Sequence, residues 1–127
     1  MVLFGASLVA SALLLMYLRV DLGFFLDDWA LIMKREGGPT DWLLPHNEHI
    51  VVLPAAIYKL SLAVFGMTSV PLHLVSLGLF LASVVLLYNW LRPLVGTAAT
   101  VLGCVILLFL GASSEDLLWA FQIGFFG

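Results

Sequence analysis

Three long runs without a charged residue constrain this chain more than any other feature. They are Val2–Leu18, Leu72–Leu91 and Leu94–Ala112, and they contain 17, 20 and 19 residues. A transmembrane helix needs about 20 mostly apolar residues to cross the hydrocarbon core of a bilayer. With 63% apolar and 10% charged residues among 127, the chain has more apolar surface than so small a soluble core can bury. The sequence therefore predicts an all-α integral membrane protein, a polytopic bundle of transmembrane helices.

The rest of the composition narrows the possible classes further. A net charge of −3 argues against a nucleic-acid partner, and a single cysteine, Cys104, excludes a disulfide scaffold. Residues 1–127 form one transmembrane module. The apolar stretch Leu117–Gly127 resembles the opening of another span, so we expect this module to be a fragment of a longer chain.

The segment Ile50–Phe65 leaves the topology open. It has 16 residues, includes Pro54 and Lys59, and as a helix would reach about 24 Å, less than the roughly 30 Å of the hydrocarbon core. It is either a short span with Lys59 at the membrane surface or an interfacial or re-entrant helix. The basic turn at Arg92–Pro93 favours a cytoplasmic position. With this turn in the cytoplasm, residues 19–71 form a first outer loop and residues 113–127 form a second. The rival topology has four simple spans, so that Ile50–Phe65 also crosses the membrane.

Most of the acidic residues lie in the first loop, since residues 19–49 contain six of the eight. The pair Asp27–Asp28 follows the first span and lies at an apolar boundary, where a carboxylate can act as a general base. A helix over Asp28–Gly38 is also predicted, with an acidic N-cap and a glycine stop. The alternatives are therefore a catalytic pair, or one capping and one solvated aspartate. We expect Asp28 to be the cap and Asp27 the base.

Two further polar clusters are candidates for substrate or metal contacts. His46 and His49 are three residues apart, so they would share a face of a helix, with Glu48 between them. This spacing is not that of a zinc protease, and a helix cap for the Ile50 segment explains the cluster equally well. Glu115 and Asp116 follow two serines, a pattern typical of a helix start.

These features together resemble the GT-C superfamily of membrane glycosyltransferases. The resemblance covers nearly the whole chain in order: a first span, the acidic pair in Leu26-Asp27-Asp28-Trp29, a Pro-containing apolar helix, a span, the Arg92–Pro93 turn, another span and an acidic loop. The string from Trp42 to His49, together with Glu115–Gln122, resembles a less characterised bacterial branch.

The resemblance implies an enzyme that transfers a sugar from a polyprenyl-phosphate donor to an exoplasmic acceptor at the bacterial inner membrane. It implies juxtamembrane helices in the first outer loop and Asp27 or Asp28 as the general base. It also implies that Glu115 or Asp116 positions a divalent metal, Mg²⁺ or Mn²⁺, or the donor phosphate. Membrane lipid is the expected environment, and the fragment alone is expected to be inactive. The side chains expected to contact substrate are Trp29, His46, Glu48, His49, Trp119 and Gln122.

Two other classes remain open. Outward-facing acids also suit a transporter or channel fragment, although such a protein typically carries charges within its spans. A non-catalytic membrane scaffold would explain the small residues of the third run, but not the acid-rich loop. Arg19 lies at the end of the first span, where it either contacts a phosphate or extends to the membrane surface.

Overall fold

A computed structural model describes the helical core of the chain. The described residues are 1–19, 22–24, 27–33, 41, 43, 45–46, 49–50 and 52–109. Within them the regular elements are five helices and one pair of two-residue strands. In chain order the elements are α1 (Val2–Arg19), α2 (Asp27–Met33), β1 (Pro45–His46), β2 (His49–Ile50), α3 (Val52–Phe65), α4 (Val70–Val95) and α5 (Thr97–Leu108).

Helices α1, α4 and α5 pack together in alternating directions. The rings of Phe4 and Tyr88 stack with centroids 4.0 Å apart at one end of α1. At the other end, the Arg19 guanidinium donates to the carbonyl of His73 over 2.6 Å. Helices α1 and α4 are therefore antiparallel. Helix α5 runs in the direction of α1, because the Ser11 hydroxyl donates to the carbonyl of Leu108 over 3.1 Å while Leu3 and Thr97 line one groove.

The interior of this three-helix group contains many small polar residues, and its outer surface is apolar. Side chains buried among the helices include Ser7, Ser11, Ser76, Thr100 and Cys104. Small residues and hydroxyls let helix backbones approach closely and hydrogen-bond across an interface, as they do in lipid. The exposed large apolar side chains include Val9, Leu13, Leu86, Leu102 and Ile106.

Two of the described helices are long and apolar enough to cross a membrane by length and composition, α1 with 18 residues and α4 with 26. They correspond to the first two charge-free runs. Helix α5 has 12 described residues and lies within the third run. The helical prediction is thus confirmed for the first two runs and for Thr97–Leu108 of the third, whose first two residues belong to α4.

Helix α4 is longer at its carboxyl end than the sequence indicates. The predicted turn at Arg92–Pro93 is wrong, because α4 continues through Pro93 to Val95 and the chain turns at Gly96. Pro93 lacks the amide hydrogen that would bond to the carbonyl of Asn89, and α4 ends two residues later, at Val95. Gly96 has φ +84° and ψ 164°, a backbone region that is essentially restricted to glycine.

Helices α2 and α3 pack against the amino-terminal part of α4, at the end of the bundle where α1 stops. A second apolar cluster joins Leu31 and Ile32 of α2, Ala55 and Tyr58 of α3, and Leu72 of α4. The Ser69 hydroxyl, immediately before α4, donates to the carbonyl of Leu22, shortly after α1, over 3.0 Å. This hydrogen bond links the chain after α1 to the start of α4. The segments that flank the first loop therefore meet at one end of the bundle.

Candidate functional site

The first turn of α2 carries a buried carboxylate. Helix α2 begins at Asp27, so Asp28 lies inside its first turn and the prediction that Asp28 is the N-cap is wrong. The Asp28 side chain is only 2% exposed. The hydroxyl of Tyr58, which is fully buried on α3, donates a hydrogen bond to Oδ1 of Asp28. Because a buried polar group is costly unless it is hydrogen-bonded, this contact explains how the carboxylate is accommodated there.

The environment of Tyr58 keeps its hydroxyl protonated. Burial raises the pKa of the Tyr58 phenol well above its ordinary value near 10, and the nearby charge and hydrogen bond of Asp28 raise it further. The phenol therefore remains a hydrogen-bond donor throughout the physiological pH range. A charge-assisted hydrogen bond of this kind is stronger than one between neutral groups.

The next residue of α3 holds the other end of α2. Lys59 Nζ donates to the carbonyl oxygen of Ile32 over 3.1 Å. Ile32 lies in the last turn of α2, where carbonyl groups have no partner within the helix and a cation is favourable. Lys59 thus has a specific partner in the protein in addition to its position near the surface. Together, Tyr58 and Lys59 bind the first and last turns of a seven-residue helix.

The aromatic residue of the predicted site follows the acidic pair in the first turn of α2. Trp29 is exposed, and its ring contacts that of Phe24 edge to face at 5.6 Å. An exposed indole offers a flat apolar face and one N–H donor to a binding partner. Asp27 belongs to the same turn of α2, but its side chain lies outside the described residues. The structure therefore places these three residues in one turn of α2, with the Asp28 side chain buried and the Trp29 side chain exposed.

The two histidines have a different arrangement from the predicted one. His46 and His49 are directly opposite each other as an antiparallel backbone pair between β1 and β2. The helical spacing expected for them is therefore wrong. The helix that this cluster was expected to cap does not begin at Ile50 either, because α3 begins only at Val52. The physical reason is that the pairing of Pro45 with Ile50 and of His46 with His49 requires extended backbone at these residues, where the three-residue spacing of a helix face does not apply.

Several predicted site residues lie outside the described part of the chain. They are Glu48, Glu115, Asp116, Trp119 and Gln122. Among the residues that are described, no group of three or more His, Cys, Asp or Glu side chains could hold a metal ion. Glu115 and Asp116, which are expected to position a divalent metal, therefore lie outside the part of the chain that the structure describes.

Sequence reasoning missed Tyr58 as a member of the site. Its signal was present, since Tyr58 and Lys59, with Ser61, are the polar residues of an otherwise apolar helix. The partner of such a residue is set by the tertiary packing of a helix 30 positions upstream, which periodicity does not reveal. The chain has no match among protein-family models, curated proteins or solved structures.

Proposed function

We propose that this chain is an integral membrane protein in which α1, α4 and α5 cross the bilayer. The support is the apolar outer surface of these helices. Soluble monomers rarely expose large contiguous apolar patches, whereas the outer faces of α1, α4 and α5 carry leucine, isoleucine and valine along their length. The hydroxyl-rich interior between the helices is equally consistent with packing in lipid.

In this proposal, the first loop lies on one side of the membrane and α3 does not cross. Helix α3 has 14 residues and ends at the turn of Gly66, so it reaches about 21 Å, too short for the hydrocarbon core. The charge-free run that contains α5, in contrast, continues to Ala112. Its middle contacts α2 through Tyr58 and Lys59. Helix α2 begins five residues after Leu22, whose carbonyl is bound by Ser69 at the start of α4. Both ends of the loop are therefore close to the same end of the bundle.

We further propose that the chain belongs to a membrane glycosyltransferase that uses a polyprenyl-phosphate sugar donor. The observation that carries this proposal is the hydrogen bond from Tyr58 to Asp28, which fixes the acidic turn at the end of the bundle. A catalytic carboxylate needs a rigid backbone so that it meets its substrate in one geometry. The resemblance of the acidic pair and the helix order to the GT-C superfamily supplies the reaction class.

The two aspartates have different roles in this mechanism. Asp28 is buried and positions the turn by its hydrogen bond with Tyr58. Asp27 is the general base, which accepts the proton of an acceptor hydroxyl. The acceptor oxygen then forms a bond to the anomeric carbon. The bond from that carbon to the phosphate oxygen breaks, and the lipid phosphate leaves with the electron pair. Mg²⁺ or Mn²⁺, held by Glu115 or Asp116, would neutralise the leaving phosphate.

The test is a transfer assay with the full-length protein in lipid vesicles. We expect sugar transfer from a polyprenyl-phosphate sugar and none from the corresponding nucleotide sugar without a lipid carrier. Asp27→Asn should lower the rate about 10²–10⁴-fold, because an amide cannot act as a base. Asp41→Asn, which removes a carboxylate from the same loop, is the matched control and should keep the rate. Transfer from the nucleotide sugar alone, or a near-normal rate for Asp27→Asn, would contradict the proposal.

A further inference from the structure

The guanidinium of Arg19 is buried with one of its donors unused. Arg19 is only 6% exposed although it is the last residue of α1. Its Nη1 donates to the carbonyl of His73, while Nε has no hydrogen-bond partner among the described residues. A buried charge is costly unless it is paired and hydrogen-bonded. Its partner, the carbonyl of His73, is neutral. The described part of the chain therefore provides no counter-charge for this cation.

Arg19 faces a cavity of about 250 Å³ between α1 and α4. Apart from Arg19 and His73, the side chains that line it are apolar: Met16, Val70, Leu74 and Leu77. The cavity is therefore a mainly apolar space with a cation at one side. Val70 and Leu74 are themselves partly exposed on the outside of α4, so the apolar wall continues onto the outer surface of the bundle.

We propose that this cavity binds the phosphate group of an anionic membrane lipid, with the adjoining part of its acyl chain against Met16, Val70 and Leu74. A guanidinium presents several donors in a planar fork that matches phosphate oxygens, and Nε belongs to that fork. The apolar walls require a ligand with a hydrocarbon part, which inorganic phosphate lacks. Arg19 lies at the end of a membrane-length helix, the depth at which lipid phosphates are found.

The proposal requires that the helices lie in lipid, but it does not require sugar transfer. It therefore stands apart from the catalytic role given to Asp27. The cavity is smaller than the roughly 300–1,000 Å³ of pockets that enclose a whole small molecule. It consequently holds the phosphate and the start of one chain, while the rest of the lipid remains in the bilayer.

Native mass spectrometry of the purified protein with added lipid tests this site. We expect retention of phosphatidylglycerol in preference to phosphatidylcholine, and no effect of inorganic phosphate or oleate as competitors. Arg19→Gln should weaken phosphatidylglycerol retention about 10- to 100-fold, the range for loss of a charged hydrogen-bonding partner. Arg92→Gln removes the same charge from the exposed opposite end of α4 and should leave retention unchanged. Equal loss in both variants, or displacement by inorganic phosphate or oleate, would overturn the proposal.

A second variant covers the case in which Arg19→Gln fails to fold. Val70→Trp places a bulky side chain at the cavity wall and leaves Arg19 intact, so it should also reduce phosphatidylglycerol retention. Leu86→Trp adds the same group on the exposed outer surface of α4 and should have no effect. Full retention by Val70→Trp would show that lipid binds elsewhere and would overturn the proposal.

Discussion

The hydrogen bond between Tyr58 and Asp28 makes a specific prediction about stability. Tyr58→Phe keeps the buried ring but removes a donor to a buried carboxylate. Such a loss costs about 1.5–3 kcal/mol when the partner is charged. We expect a lower unfolding temperature for this variant in detergent, measured by the near-ultraviolet circular dichroism of the aromatic residues.

The control for this prediction is Tyr17→Phe. Tyr17 is 77% exposed on α1, so the same chemical change there should leave the unfolding temperature unchanged.

The effect of Tyr58→Phe on the unfolding temperature should also depend on pH. Because the pKa of Tyr58 is raised in the folded state, its stabilising contribution is fully present below about pH 10, the value of a free phenol, and declines as the pH rises further. An equal unfolding temperature for Tyr58→Phe and the wild type below pH 10 would show that the hydrogen bond contributes nothing.

At the level of single residues, the sequence identified the acids but not their roles. It placed Asp27 and Asp28 at a helix start, and both are indeed in the first turn of α2. It could not distinguish which carboxylate is buried, because that depends on where α3 docks. Arg19 is a similar case, since its position at the end of a span left a role at the membrane surface and a role in binding phosphate equally open. Its burial against His73 is the observation on which the proposed lipid-phosphate role depends.

The break between α4 and α5 makes a prediction at the level of the element. Gly96 adopts φ +84°, and a Cβ added there would meet no atom within 4 Å. Gly96→Ala should therefore destabilise the protein through backbone strain alone, by about 1–3 kcal/mol. Thermal unfolding in detergent measures this loss as a lower midpoint.

Gly103→Ala is the matched control for this substitution. Gly103 lies inside α5 and is also free of neighbours at its Cβ position, so alanine should be neutral there or stabilise the helix by about 0.5–1 kcal/mol. If Gly96→Ala and Gly103→Ala unfold at the same temperature, the turn does not depend on the glycine conformation.

The same turn shows why helix boundaries are hard to predict. Arg92–Pro93 has the sequence of a loop, but α4 continues through Pro93, and the positive φ needed for reversal falls on Gly96 instead. The β1–β2 pair shows a strand where a helix was predicted. His46 and His49 have helical spacing in the sequence, but the structure pairs them across two strands. In contrast, the long charge-free runs predicted α1 and α4 well, because their length and apolar character leave few other structures available.

At the level of the whole molecule, helix directions follow from contacts that the sequence does not encode locally. The pairs Phe4–Tyr88 and Arg19–His73 fix α1 and α4 as antiparallel, and Ser11–Leu108 aligns α5 with α1. If α1, α4 and α5 cross the membrane, this order requires both ends of the first loop to be on the same side. The four-span alternative would instead place the two ends of α3 on opposite sides.

Three engineered cysteines distinguish these topologies in a Cys104→Ser background. Leu43, Met67 and Thr97 are exposed and lie before α3, after α3 and after α4. If α3 does not cross, a membrane-impermeant maleimide added to intact cells should label Leu43→Cys and Met67→Cys, and should label Thr97→Cys only after permeabilisation. Met67 is better suited than the neighbouring Ser69, because Ser69 is buried against Leu22.

If α3 crosses, Leu43→Cys and Met67→Cys must differ in their accessibility to the maleimide, whichever way the whole protein is oriented. Opposite labelling of these two positions would therefore contradict the three-span arrangement, and with it the placement of the acidic turn and the start of α4 on one face of the membrane.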